Sequence, residues 1–142
     1  MSTEDNKAIV RRFYEEVWTQ GNLAAADELT TADIVNETLQ PPVHGLESLK
    51  QFVMIYRTAF PDFHFTLEDL IAEGDKVTVR FTCTGTQRGE LLGIPPTGKR
   101  VTLTGIDIVR FADGKFAESW TNFDALGMLQ QLGVIPAPGQ AS

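Results

Sequence analysis

Thiols are nearly absent from this chain. Cys83 is the sole cysteine in 142 residues, so no disulfide can close within the chain, and a reducing compartment, the cytoplasm, is the expected setting. Histidine is almost as scarce: His44 and His64 have no partner ligand at metal-binding spacing, so no metal is expected. No segment reaches the roughly 18 uninterrupted apolar residues of a membrane span. The N-terminus, Met1-Ser2-Thr3-Glu4-Asp5, is acidic where a signal peptide is basic and then apolar. Positive charge is in deficit, with 12 Lys and Arg against 19 Asp and Glu and a formal charge of −7. That balance disfavours nucleic acid and anionic lipid, whose phosphates require clustered cations. No Gly-x-Ser-x-Gly elbow occurs, and Cys83 sits in an alternating stretch on its apolar side, which suits an inert thiol.

What is present is a clear change of period. Ser2 or Thr3 can cap a first helix in which Val10, Tyr14 and Trp18 recur at i, i+4 and i+8, until Gly21 stops it. Asn22 can cap a short second helix to about Leu29, and Ile34 to Leu39 reads as an extended stretch ended by Pro41 and Pro42. Leu46, Leu49, Val53, Tyr56 and Phe60 form the stripe of a third helix closed by Pro61. Beyond it the period drops to 2, through Phe63, Phe65 and Leu67, then Val77, Val79, Phe81 and Cys83, then Val101 to Phe111. Asp113-Gly114 signals a hairpin into Lys115 to Phe123, and Asp124 can cap a last helix carrying Leu126, Leu129 and Leu132, with Gly133 at its end. Helices followed by antiparallel hairpins predict an α+β fold: a cone-shaped, curved antiparallel sheet with the N-terminal helices on its concave face, enclosing a pocket. One domain is expected over residues 1–135, with 136–142 a flexible tail.

One position stands out chemically. Asp107 shares a strand face with Leu103, Gly105, Val109 and Phe111, so its carboxylate points to an otherwise apolar side. It must either pair, with Arg80 or backbone, or hold its proton with a raised pKa, as catalytic acids do. Glu37 lies before the double proline, and Tyr14 lies within the first helix's apolar stripe; taken singly they read as a loop acid and a core aromatic. Gly93-Ile94-Pro95-Pro96-Thr97-Gly98-Lys99 has the spacing of a phosphate-binding loop, but position 100 is Arg and not Ser or Thr. Two prolines remove N–H groups from it and a strand follows in place of a helix, so nucleotide binding is rejected.

The run Gly85-Thr86-Gln87-Arg88-Gly89-Glu90-Leu91-Leu92-Gly93-Ile94-Pro95-Pro96-Thr97-Gly98-Lys99 resembles the signature of the SnoaL-like polyketide cyclases, or ester cyclases. Val10 to Trp18, Phe60 to Phe63, Gly105-Ile106-Asp107, Asp113-Gly114-Lys115 and Trp120 to Gly133 are similar to the same family, so the likeness spans nearly the whole chain. The resemblance implies the nuclear transport factor 2-like fold, homodimers, no cofactor, and ring closure by intramolecular aldol condensation with an acidic general acid/base. The more distant ketosteroid isomerases, similar around Ile106 to Phe111, imply Asp107 and Tyr14 as oxyanion donors. They imply a base at Glu37 if one residue is skipped, and Thr38 there if none is. One departure is plain. The cyclases are expected to carry a histidine near Asp107 and an aspartate just after the tryptophan of the last strand, where this chain has Trp120-Thr121. Thr121 cannot serve as a base at neutral pH, and Asp124 is better explained as a helix cap.

The expectation is therefore an acid/base enzyme acting on a small apolar or aromatic carbonyl compound, with Asp107, Tyr14 and Glu37 as catalytic residues and no metal. Trp18, Met54, Tyr56, Phe60, Trp120, Thr121 and Phe123 are the expected substrate-binding residues. A non-catalytic ligand-binding or dimerisation module is the rival, favoured by Thr121, and hydratase or hydrolase chemistry in the same cavity is the third reading. Convergence of Tyr14, Glu37 and Asp107 on one cavity separates them.

Overall fold

The computed structural model describes residues 2–136; all but the first residue of the expected tail, 136–142, lies outside them. Ser2 caps α1 (Thr3–Arg12) through a capping box with Asp5. Near Arg12 the helix does not continue regularly to Gly21, as its stripe predicts. It loosens into a π-helical segment, Phe13–Thr19, whose wider turn brings Phe13, Tyr14, Val17 and Trp18 all inside. Gln20 N–H bonds Glu15 C=O, five residues back, and Arg57 fastens the end of the segment by donating to the Thr19 and Phe63 carbonyls at 3.0 and 3.2 Å.

The second helix, α2 (Ala25–Leu29), is shorter than expected and has no side-chain cap; Asn22 contributes its carbonyl to Ala25 N–H instead. Strand β1 (Thr30–Asn36) begins earlier than the expected stretch, and β2 (Val43–His44) folds back on it. Helix α3 (Leu46–Ala59) buries Leu49, Phe52, Val53, Tyr56 and Ala59. Strands β3 (His64–Glu73), β4 (Lys76–Thr86), β5 (Arg100–Ala112) and β6 (Lys115–Phe123) form an antiparallel meander, and Asp124 caps α4 (Ala125–Leu132). Met128 and Leu132 form the buried edge of α4, whereas Leu126 is exposed.

The six strands form one curved sheet in the order β2-β1-β6-β5-β4-β3. It is mixed and not wholly antiparallel, because β1 runs parallel to β6, pairing Thr30 with Phe116 and Val35 with Glu118. Side-chain alternation fixes which face is buried but says nothing of strand direction, and the edge that β6 would otherwise leave open is closed by β1. Inward residues Val101, Leu103, Gly105, Asp107, Val109 and Phe111 alternate along β5 with Thr102, Thr104, Ile106 and Ile108 on the outer face. A side chain at Gly105 would collide with the Phe81 ring and the Phe123 Cβ, so glycine lets two cavity-wall rings lie against the strand.

The loop between β4 and β5 is closed on itself. The carboxamide of Gln87, fully buried, donates to the Gly89 and Ile94 carbonyls and accepts from the Thr97 N–H and hydroxyl. The Thr97 amide that a phosphate would need is thus spent internally, and β5 follows directly.

Candidate active site

The cavity lies between the sheet's inner face, the π-helical segment and α3. It measures about 80 Å³. Half of its lining residues are aromatic: Trp18 packs edge-on against Phe52, Tyr56 and Phe63, and Phe65 bridges Tyr14 to Phe81. The polar side chains on the wall are those of Tyr14, Asn36, Tyr56, Asp107, Ser119 and Thr121.

Asp107 is the only carboxylate on this wall among the described residues. The Tyr14 hydroxyl donates to its Oδ2, so helix and sheet residues far apart in the chain meet here. Oδ1 is buried with no hydrogen-bond partner among the described residues. Burial raises the carboxyl to about 7 from an ordinary 3.8, and the nearby Thr121 hydroxyl offsets part of this without reaching hydrogen-bond geometry with Oδ1. Pairing with Arg80 is excluded by geometry: Arg80 Nε bonds Asp69 Oδ2 at 2.6 Å on the outer face.

A second polar group faces Asp107 across the ladder. Asn36 accepts on Oδ1 from the Thr38 N–H, at 2.9 Å, and from the Thr38 hydroxyl. Its Nδ2 donates to Ser119 Oγ at 2.8 Å and to Thr121 Oγ1 at 3.0 Å. Thr38 Oγ1 in turn accepts from Thr121 N–H at 2.8 Å.

Of the residues expected at the site, Tyr14, Asp107, Trp18, Tyr56, Thr121 and Phe123 line this cavity. Glu37 does not. It lies just past the end of β1, solvent-exposed, paired with His44 Nε2 at 2.6 Å. Asn36, one residue earlier, holds the inward position. Thr38, the other option for that place, reaches the site only through its bonds to Asn36 and to the Thr121 backbone. Met54 is 53% exposed, on the side of α3 opposite its buried stripe. Trp120 is 37% exposed, because the period of 2 that turns Ser119 and Thr121 inward turns it outward. Phe60 is fully buried against Phe63, behind the wall and not on it. Asn36 and Ser119 were missed. The signal was available in the alternation Ile34/Asn36 and Ser119/Thr121, which assigns each pair one face.

Cys83 also lines the cavity, and burial pushes its thiol far above its ordinary value, leaving it inert as a nucleophile. Among the described residues no cluster of His, Cys, Asp and Glu suits a metal ion, and no helix is long and apolar enough to cross a membrane.

The α+β sheet curved around an aromatic cavity is a fold of the nuclear transport factor 2-like kind. The chain belongs to the SnoaL-like polyketide cyclase family, whose sequence profile matches residues 8–132. It is 31% identical over 119 residues to nogalonic acid methyl ester cyclase of Streptomyces nogalater, covering 80% of this chain and 87% of that one. The structure of TsrD from Streptomyces laurentii superposes with a TM-score of 0.87 at 29% identity, covering 95% of this chain and 99% of that one. A SnoaL-like polyketide cyclase from Agrobacterium tumefaciens, only 18% identical, shares the fold with a TM-score of 0.77, over 94% of this chain and 100% of that one.

Proposed function

We propose that this chain is an acid/base enzyme acting on a small apolar or aromatic carbonyl compound, by enolisation or by intramolecular aldol ring closure, with Asp107 as the group that takes and returns the proton. The observation that carries the reading is the buried Asp107 carboxyl on the wall of the aromatic cavity, bonded by Tyr14 on one oxygen and without a partner among the described residues on the other. The sequence suggested Asp107 as an oxyanion donor beside a base at Glu37. With Glu37 in solvent the three expected residues do not all converge, which favours a non-catalytic ligand-binding module as the second reading. Tyr14 and Asp107 do meet, Asp107 is the carboxylate on the cavity wall, and the base role passes to it.

Ionised Asp107 would remove a proton from the carbon next to the substrate carbonyl, leaving an enolate. In ring closure that carbon attacks a second carbonyl, a carbon–carbon bond forms, and the resulting alkoxide takes the proton back from Asp107. Tyr14 keeps the carboxyl oriented throughout. The cavity's size suits the reacting part of a substrate rather than a whole polycyclic skeleton.

Exchange of the α-hydrogens of butyrophenone in D2O, followed by NMR, tests the proton transfer. The rate constant should rise with pH as Asp107 ionises and level off, with its midpoint near 7. A profile flat between pH 5 and 9 would count against Asp107 as base.

The same reading includes a homodimer in a reducing, cytoplasmic setting. Its support is the outer sheet face, where Ile71, Thr78, Ile108 and Trp120 lie in one register row across β3 to β6, with Ile71 66% exposed. Sedimentation should give twice the chain mass, and Trp120→Glu should give the monomer with its fold intact. A wild-type monomer at micromolar concentration would overturn this.

A further inference from the structure

The polar groups opposite Asp107 have a direction, and that direction has a use. The Thr38 backbone N–H can only donate, so the Asn36 atom it meets at 2.9 Å must be the oxygen. The amide is therefore fixed with its two Nδ2 hydrogens on Ser119 Oγ and Thr121 Oγ1. A hydroxyl that accepts from Asn36 must send its own proton elsewhere. Neither hydroxyl completes a hydrogen bond to an acceptor among the described residues, although that of Thr121 lies near Asp107, and both side chains lie on the cavity wall. Ser119, 8% exposed, has little access to solvent water.

We propose that Ser119 and Thr121 form a second oxygen-binding pole of the cavity, presenting two O–H donors to a substrate carbonyl other than the one beside Asp107. The proposal rests on the reading of the cavity as a carbonyl site and adds the residues that hold the second oxygen.

Three features suit these hydroxyls to that task. They are neutral, so they bind a carbonyl oxygen without competing for the proton that Asp107 moves. Their acceptor lone pairs are engaged by Asn36, whose own oxygen is doubly bonded by Thr38, and such a chain polarises the outer O–H groups. Thr121 is also the ladder partner of Asp107. Cα atoms paired in this way stand about 4.5–5.5 Å apart. Two poles so close fit two carbonyls separated by a single carbon, a β-dicarbonyl. As Asp107 takes a proton from the carbon between the two carbonyls, the negative charge spreads over both oxygens, and fixed donors at the held oxygen stabilise it until Asp107 returns the proton.

The test compares two ligands by calorimetric titration. One is benzoylacetone doubly methylated between its carbonyls, which cannot enolise there; the other is the matching monoketone without the second oxygen. Wild-type protein should bind the diketone about tenfold more tightly than the monoketone. Ser119→Ala and Thr121→Val should each lower that ratio several-fold. Because the readout is a ratio of affinities, general loosening of the fold does not reproduce it. A wild-type ratio near one, or a ratio untouched in both variants, overturns the second pole while monoketone binding leaves the carbonyl cavity standing. Binding of neither ketone overturns both.

Discussion

Replacing Asp107 with asparagine is expected to slow α-hydrogen exchange by about 10²–10⁴-fold with the chain still folded. Asparagine has nearly the same volume and keeps an oxygen for the Tyr14 hydroxyl, so the aromatic wall has no reason to move. What is lost is the ability to hold a proton. Among the described residues no other carboxylate lines the cavity, and the Cys83 thiol elsewhere on its wall is held protonated by burial, so none of them can take over. Glu37→Gln provides the contrast: its carboxylate is exposed and paired with His44, and its loss should leave the rate within about twofold of wild type. NMR rate constants for the two variants, measured side by side, decide the matter. Equal losses in both, or an Asp107→Asn rate near wild type, would remove Asp107 from the chemistry.

The same substitution should stabilise the protein in alkaline solution. Folding lifts the Asp107 carboxyl from 3.8 to about 7, so between these values the folded chain keeps a proton that the unfolded chain releases. Stability contributed by that proton is whole below about pH 4, declines as pH rises, and is gone above pH 7. Each pKa unit corresponds to about 1.4 kcal/mol, so the full swing is on the order of 4 kcal/mol as an upper bound. Surface carboxylates run the other way: Arg12 holds Glu16 and Glu28 below their ordinary values, so what they add is present at neutral pH and lost in acid. The variant isolates the buried group, since subtraction cancels the surface. Urea unfolding at pH 4 and pH 8 should show the wild type's disadvantage against Asp107→Asn growing with pH. A gap that stays constant or shrinks would mean that the carboxyl is not held protonated by burial.

How much of this was legible in the sequence depends on which physical signal each residue carried. Alternation along β5 marked Asp107 as an inward acid, because a period of 2 is set by the pleat and needs no tertiary knowledge. The helical stripe likewise placed Tyr14 and Trp18 inside, although the π-helical turn that lets Phe13 and Val17 join them leaves no trace in an apolar pattern. Met54 and Trp120 were drawn into the expected pocket by size and apolarity, against their own periods. Glu37 was assigned from a likeness whose register is uncertain by one residue, and in a strand one residue is the difference between the cavity and the solvent. The parallel pairing of β1 with β6 joins residues more than eighty positions apart and could not be read locally. The mutual arrangement of Asn36, Thr38, Ser119 and Thr121 is likewise a product of that pairing.

The π-helical turn at Phe13–Thr19 has a consequence for anyone who would re-engineer this protein. Idealised backbones favour regular helices, and shortening this segment by one residue would restore an even ladder of hydrogen bonds. The residues after the deletion would then rotate about the axis relative to those before it, and Val17 and Trp18 would meet the sheet at a different angle. Here irregularity is a form of addressing: it sets the angle at which the aromatic rings of this segment meet the cavity. A procedure that scores only helical regularity would remove that address as a flaw and return a sturdier, emptier scaffold.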